Sequence, residues 1–232
     1  MSEVKDIVVK QPKESLFSKK NKKLLSDPLN DANPITVQVL GICSALAITV
    51  QVEQALVMSA SVLFVMIGGN VIVSMLRNVI PSRIRIIVQL VIVASLVIIV
   101  DQVLKAYLPD VAEKLSVFVG LIITNCIIMG RLEAYALGNK VWPSFLDAIG
   151  NAMGYAWILV VVAFVREIFG SGKLMGISLF GESVGAPEEL GAIYRMGYFN
   201  NNMMILPPMA LIVVGIIIWI QRSKNQKLIE EN

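Results

Sequence analysis

The chain has 232 residues, 56% of them apolar and 16% charged, with a formal net charge of +3, two cysteines and no histidine. A soluble domain carries nearer a quarter charged residues, so the composition is that of a polytopic helical membrane protein in one domain, and the small positive excess bears on orientation, not on nucleic acid. Without histidine there is no His-ligated haem, Rieske-type His pair, His-based zinc site or His general base, and Cys43 and Cys126 cannot by themselves close a four-ligand metal site.

Residues 1–33 form a basic arm with Lys5, Lys10, Lys13, Lys19, Lys20, Lys22 and Lys23. No apolar stretch with a small-residue cleavage site follows directly, so the arm is not a signal peptide, and basic residues ahead of a first span are retained in the cytoplasm. Pro34 opens segment one, Ile35 to Val52, which is interrupted near Gly41. Segment two, Ala55 to Leu76, contains Gly68-Gly69-Asn70, where glycines permit close helix packing. The connection from Arg77 to Arg85 holds three arginines and belongs inside. Segment three, Ile86 to Leu104, carries Asp101-Gln102 towards its far end, and the loop from Lys105 to Lys114 fits the outer side.

Segment four is an apolar run from Leu115 to Met129 of about 15 residues, or ~22 Å as helix, short for a ~30 Å hydrocarbon core. The helix-capping pair Thr124-Asn125 breaks it just before Cys126. The polar stretch from Arg131 to Asp147 is placed inside, and segment five, Ile149 to Phe169, has Arg166-Glu167 near its end. Gly170 to Asn202 is the one long loop, with room for a short interfacial helix. Its Gly-Ser-Gly-Lys173 is not a P-loop, because no Ser or Thr follows the lysine and a helix precedes it where a strand is needed. Segment six, Met203 to Ile220, opens on Pro207-Pro208, and the basic flank from Arg222 to Lys227 leads into a cytoplasmic tail, 223–232.

The expected fold is therefore all-α and integral to the membrane, a domain over 34–222 with both termini cytoplasmic. Its six transmembrane segments form two inverted three-helix repeats, 34–108 and 115–222, with broken half-helices in segments one and four. Cys43 lies about nine residues after Pro34, ~13 Å from the inner face, and Cys126 about eleven after Leu115, ~16 Å from the outer face. Both depths reach the midplane, each near the start of a second half-helix, where unpaired N–H groups favour a thiolate. Two readings of the thiols stand: small buried hydrophobes, or half of a [2Fe–2S] site whose other two ligands come from a partner chain. The carboxylates Asp101 and Asp147 are candidates for an ion pathway or, alternatively, interfacial anchors of helix ends. A non-redox secondary transporter would suit the inverted repeat and broken helices as well.

Several blocks carry a resemblance: Leu40-Gly-Ile-Cys-Ser-Ala-Leu46, Arg83-Ile-Arg-Ile-Ile-Val-Gln89, Val100-Asp-Gln-Val-Leu-Lys-Ala-Tyr107, Ser116 through Thr124-Asn-Cys126, Gly130-Arg-Leu-Glu-Ala134, Asp147-Ala-Ile-Gly-Asn151 and Arg166-Glu-Ile-Phe-Gly-Ser-Gly-Lys-Leu174. Over roughly Pro34 to Arg222 they resemble the family of D subunits of the sodium-translocating NADH:quinone oxidoreductase, whose near relative is the E subunit of the Rnf-type ferredoxin:NAD oxidoreductase. The resemblance implies that Cys43 and Cys126 ligate an intramembrane [2Fe–2S] cluster shared with two cysteines of the homologous E subunit. It also implies a six-subunit pump of the bacterial inner membrane, in which the E subunit and the other four subunits are partners. NADH, FMN, FAD and riboflavin are then bound elsewhere in the complex, and quinone and Na+ are handled at the level of the whole assembly. The Val100–Tyr107 block favours the quinone-reducing complex, and the chain itself has no nucleotide fingerprint or flavin-attachment motif.

Overall fold

A computed structural model describes residues 24–29, 32–81, 83–107, 120–171 and 202–224, the single positions 109, 113 and 118, and the pairs 173–174 and 177–178. Most of the basic arm, the start of segment four, nearly all of the 170–202 loop and the tail after 224 lie outside the described residues. The helices are α1 (Ile42–Ile48), α2 (Val52–Leu76), α3 (Arg85–Tyr107), α4 (Cys126–Arg131), α5 (Val141–Ser171) and α6 (Pro207–Lys224). Strands β1 (Lys173–Leu174) and β2 (Ile177–Ser178) make a minimal antiparallel pair, Lys173 opposite Ser178.

Among the described residues, α2, α3 and α5 are long and apolar enough to cross a membrane. At 1.5 Å per residue, α3 is roughly 35 Å long, which exceeds a ~30 Å core. α2 and α5 form the centre of the domain and pack against each other along their length. On α2 the buried residues, among them Ala55, Met58, Val62, Val65, Met66, Gly69 and Val73, recur at helical spacing. Yet Leu56 and Phe64 on the opposite face are exposed and equally apolar. α3 buries only Gln89, Val93 and Val97, a single stripe, and presents Ile86, Ile87, Val91, Ile98, Ile99 and Val103 outward. Such a face belongs in lipid, where exposed aliphatic surface carries no hydrophobic penalty. The expected close packing at Gly68 and Gly69 is present, against Leu96 of α3 and Leu132 respectively.

The last residues of the basic arm are tied to α5. A short helical stretch over 24–29 crosses α5 at two glycines: a Cβ at Gly154 would collide with the Pro28 carbonyl oxygen, and one at Gly150 would sit 2.6 Å from that of Leu24. Only glycine admits backbone that close. Asn33 locks the crossing, its Nδ2 donating to Gly154 O at 3.1 Å while its Oδ1 accepts from Ile35 N and Thr36 N.

Two stretches differ from the sequence reading. Residues 34–40, expected as the first half of segment one, are turns and not helix. The bonds that Asn33 makes to residues 35–37 are those of a helix cap, but Gln38 N returns to Asn33 O and Leu40 N to Pro34 O at 2.8 Å, and the left-handed torsions at Val39 (φ 59°) and Gly41 (φ 80°) take the chain off the helical path. The stretch from Arg131 to Asp147, expected as an inside connection, is helical at both ends: α4 runs on through a π-helical turn, Leu132–Ala136, and α5 already begins at Val141. The polar residues that looked like loop are accommodated because Arg131 and Asp147 pair across the two helices.

A thiol pair between two short helices as the candidate functional site

Cys43 is the second residue of α1 and Cys126 the first of α4, and their sulfurs stand 4.0 Å apart across 83 residues of sequence. Both thiols are free and exposed on the surface of the chain. The separation is about twice a disulfide bond of ~2.05 Å. Two thiolates on one tetrahedral metal with ~2.3 Å metal–sulfur bonds would stand roughly 3.8 Å apart, so the pair fits two corners of such a site. Among the described residues no group of three or more His, Cys, Asp or Glu could hold a metal. Any further ligands at these sulfurs must therefore come from outside the described part of the chain, and the exposed sulfurs leave them access.

Local chemistry explains why both thiols arrive here. Asn125 is wholly buried and caps α4, its Oδ1 accepting from Ile127 N at 3.3 Å, so the break expected at Thr124-Asn125 is a true helix start. Ahead of α1, Gly41 takes φ 80°, ψ 12°, a left-handed conformation that turns the chain into the helix. Gly41 N then donates to Cys126 Sγ at 3.2 Å, joining the two broken segments directly. Beneath them, buried Tyr155 of α5 donates to Ser44 Oγ at 2.7 Å, and Ser44 donates to Gly41 O at 2.8 Å.

Residues 21–218 match the family described as "Rnf-Nqr subunit, membrane protein". The chain belongs to this Rnf-Nqr family. Proteins named as the D subunit of the Na(+)-translocating NADH-quinone reductase are similar to it along most of their length. That of Photobacterium profundum is 51% identical over 203 residues, covering 87% of this chain and 92% of the relative. That of Shewanella woodyi is 51% identical over 214 residues, 92% and 97% of the two chains. The Proteus mirabilis protein is 48% identical over 216 residues, 93% and 99%.

In this Rnf-Nqr protein the two carboxylates singled out for an ion pathway lie in different settings, and the structure does not bring them to one site. Asp101 on α3 is partly exposed and pairs one turn on with Lys105 Nζ at 2.6 Å. Asp147 is 1% exposed, held by the Arg131 guanidinium through two hydrogen bonds and by Asn151 Nδ2 at 3.1 Å. It lines an open cleft of about 150 Å³ with Leu24, Asp27, Pro28, Gln38, Arg131 and Asn151. Asp147 is thus a buried, paired carboxylate bordering a cleft.

Sequence reasoning assigned no role to the residues that hold α1 in place. Arg166 is 1% exposed, and its Nη1 donates to Thr49 Oγ1 at 2.6 Å and to Leu46 O, at the end of α1. Its Nη2 and Nε reach Ile205 O, Leu206 O and Met204 O ahead of α6. Glu167 Oε2 accepts from Val52 N at 2.5 Å, capping α2. The available signal was a charged pair inside an apolar segment, which is costly unless it is bonded. For Ser44 and Tyr155, composition and spacing offered no signal.

Proposed function

We propose that the chain serves as the D subunit of a Na+-translocating NADH-quinone reductase in the bacterial inner membrane. Cys43 and Cys126 would supply two of the four thiolates of an intramembrane [2Fe–2S] cluster, the other two coming from a homologous E subunit. The observation that carries this reading is the juxtaposition of the two thiols at 4.0 Å, exposed and incomplete as a metal site within the described chain. The name shared by the similar proteins favours the quinone-reducing complex over the Rnf type. When bound, the cluster supplies one-electron oxidation and reduction at membrane depth. The chain's own part is to present the sulfurs at two helix starts, where oriented N–H groups offset the negative charge, and to exclude lipid from beneath them with Tyr155, Ser44 and Asn125.

In this reading the six segments form two inverted repeats with both termini cytoplasmic, and electrons cross the membrane coupled to Na+ export. The basic flanks and the paired starts of α1 and α4 support it. Asp147, buried beside an open cleft, is the better placed of the two ion-pathway candidates; Asp101 is engaged with Lys105 at the protein surface. NADH, FMN, FAD and riboflavin belong to other subunits.

The test is an iron and acid-labile sulfide assay on the purified complex, with Cys43→Ser and Cys126→Ser. Each should remove the cluster signal and stop quinone reduction, while NADH oxidation by an artificial acceptor persists. If the double Cys→Ala complex assembles with its full iron and quinone reductase activity, the thiols are packing residues only.

A further inference from the structure

Building on the cluster reading above, we infer that Tyr155 is a positioning residue that sets the cluster's reduction potential through Ser44 and the Gly41 N–H. Among the described residues, Gly41 is the only backbone donor from the first broken segment that is seen bonded to a thiol of the second, at 3.2 Å from Cys126 Sγ. Its orientation is held from three sides. The left-handed torsion at φ 80° is the first. The second is the carbonyl, which accepts from Ser44 Oγ at 2.8 Å and from Ala45 N at 3.2 Å. The third is the Tyr155 ring, whose Cε2 lies 3.1 Å from where a Gly41 Cβ would stand.

Tyr155 is wholly buried, and a phenylalanine would fill the same volume. A buried hydroxyl is unfavourable unless bonded, and this one donates to Ser44 Oγ at 2.7 Å, so Tyr155 and Ser44 fix the Gly41 carbonyl, and the Gly41 torsions carry that constraint to the N–H of the preceding peptide, which bonds the ligand sulfur. An N–H donor to a ligating sulfur stabilises the more negative, reduced state more than the oxidised one, which raises the potential. Freeing the Gly41 carbonyl lets the Gly41 torsions relax and its N–H turn from Cys126 Sγ, which lowers the potential, with both cysteines still in place.

The experiment is a potentiometric titration of the reduced cluster's EPR signal in the purified complex, with iron and sulfide measured on the same samples. Tyr155→Phe and Ser44→Ala should retain iron and shift the midpoint to lower potential, and Ser44→Thr, which keeps the hydroxyl, should return it towards the unsubstituted value. An unchanged midpoint in both Tyr155→Phe and Ser44→Ala overturns the inference. So does loss of iron with the residual cluster at its original potential, which marks a packing role alone. Absence of any iron–sulfur signal in the unsubstituted complex would instead overturn the cluster reading itself, and is read before any variant is made.

Discussion

Replacing Arg166 tests whether the short helix bearing Cys43 is held from its far end. The guanidinium bonds two pieces of chain at once: Thr49 Oγ1 at 2.6 Å with Leu46 O on one side, and Ile205 O at 2.6 Å with Met204 O and Leu206 O on the other. Lysine carries its donors on one atom and can serve only one side. Losing one short, charge-assisted bond costs about 1.5–3 kcal/mol, and Arg166→Met, which strands both short acceptors at about 1–3 kcal/mol each, costs roughly 2–6 kcal/mol. For a chain of this size about 1 kcal/mol corresponds to ~2–4 °C. Arg166→Lys should therefore lower the thermal midpoint, followed by tryptophan fluorescence in detergent, by roughly 3–12 °C, with Arg166→Met as low or lower. Thr49→Val, which removes one of the two short acceptors and leaves the guanidinium its others, should cost about 1.5–3 kcal/mol, towards the low end of the Arg166→Met range. Midpoints for both arginine variants within about 2 °C of the unsubstituted protein would refute the reasoning, because they would mean that the bonds carry no net stability.

Gly41→Ala should destabilise by about 1–2 kcal/mol from the left-handed backbone alone, with the new methyl pressed on Tyr155; an unshifted thermal midpoint would contradict the strain argument. Arg131→Gln leaves the Asp147 carboxylate buried without its partner and should cost about 3–5 kcal/mol, most of it recovered in Arg131→Gln with Asp147→Asn; additive single effects would show that the pair is not coupled. If the cleft beside Asp147 lies on the ion route, Asp147→Asn should raise the sodium needed for half-maximal turnover while Asp101→Asn changes it less, and equal, unaltered sodium dependence would leave both as structural residues. A reporter fused after Lys227 should be active only in its cytoplasmic form, and a periplasmic signal there would sink the orientation argued from the basic flanks.

Apolar length and helix punctuation were the legible signals. The long runs of α2 and α3 appear close to where their hydropathy placed them, and the capping chemistry of Asn125 marked the start of α4. Segment one misled because its apolar composition concealed the left-handed torsions at Val39 and Gly41, which turn the chain off the helical path that Asn33 could have capped. The polar stretch around Arg131 misled for the opposite reason. Charge normally ends a membrane helix, but a paired charge does not, and the pairing of Arg131 with Asp147 spans two helices.

What the sequence by itself determined is the medium, the helical class, the absence of histidine chemistry and the identity of the two thiols. Those follow from composition and from one-dimensional spacing, which survive folding unchanged. Only the tertiary structure decided that Cys43 and Cys126 meet at 4.0 Å, that the faces of α2 point as they do, and that Arg166, Ser44 and Tyr155 stand behind the site. The physical reason is the uniform hydropathy of a membrane chain. When nearly every face of a helix is apolar, the pattern no longer says which face is buried, and it is the bonding of a few buried polar groups that selects the packing.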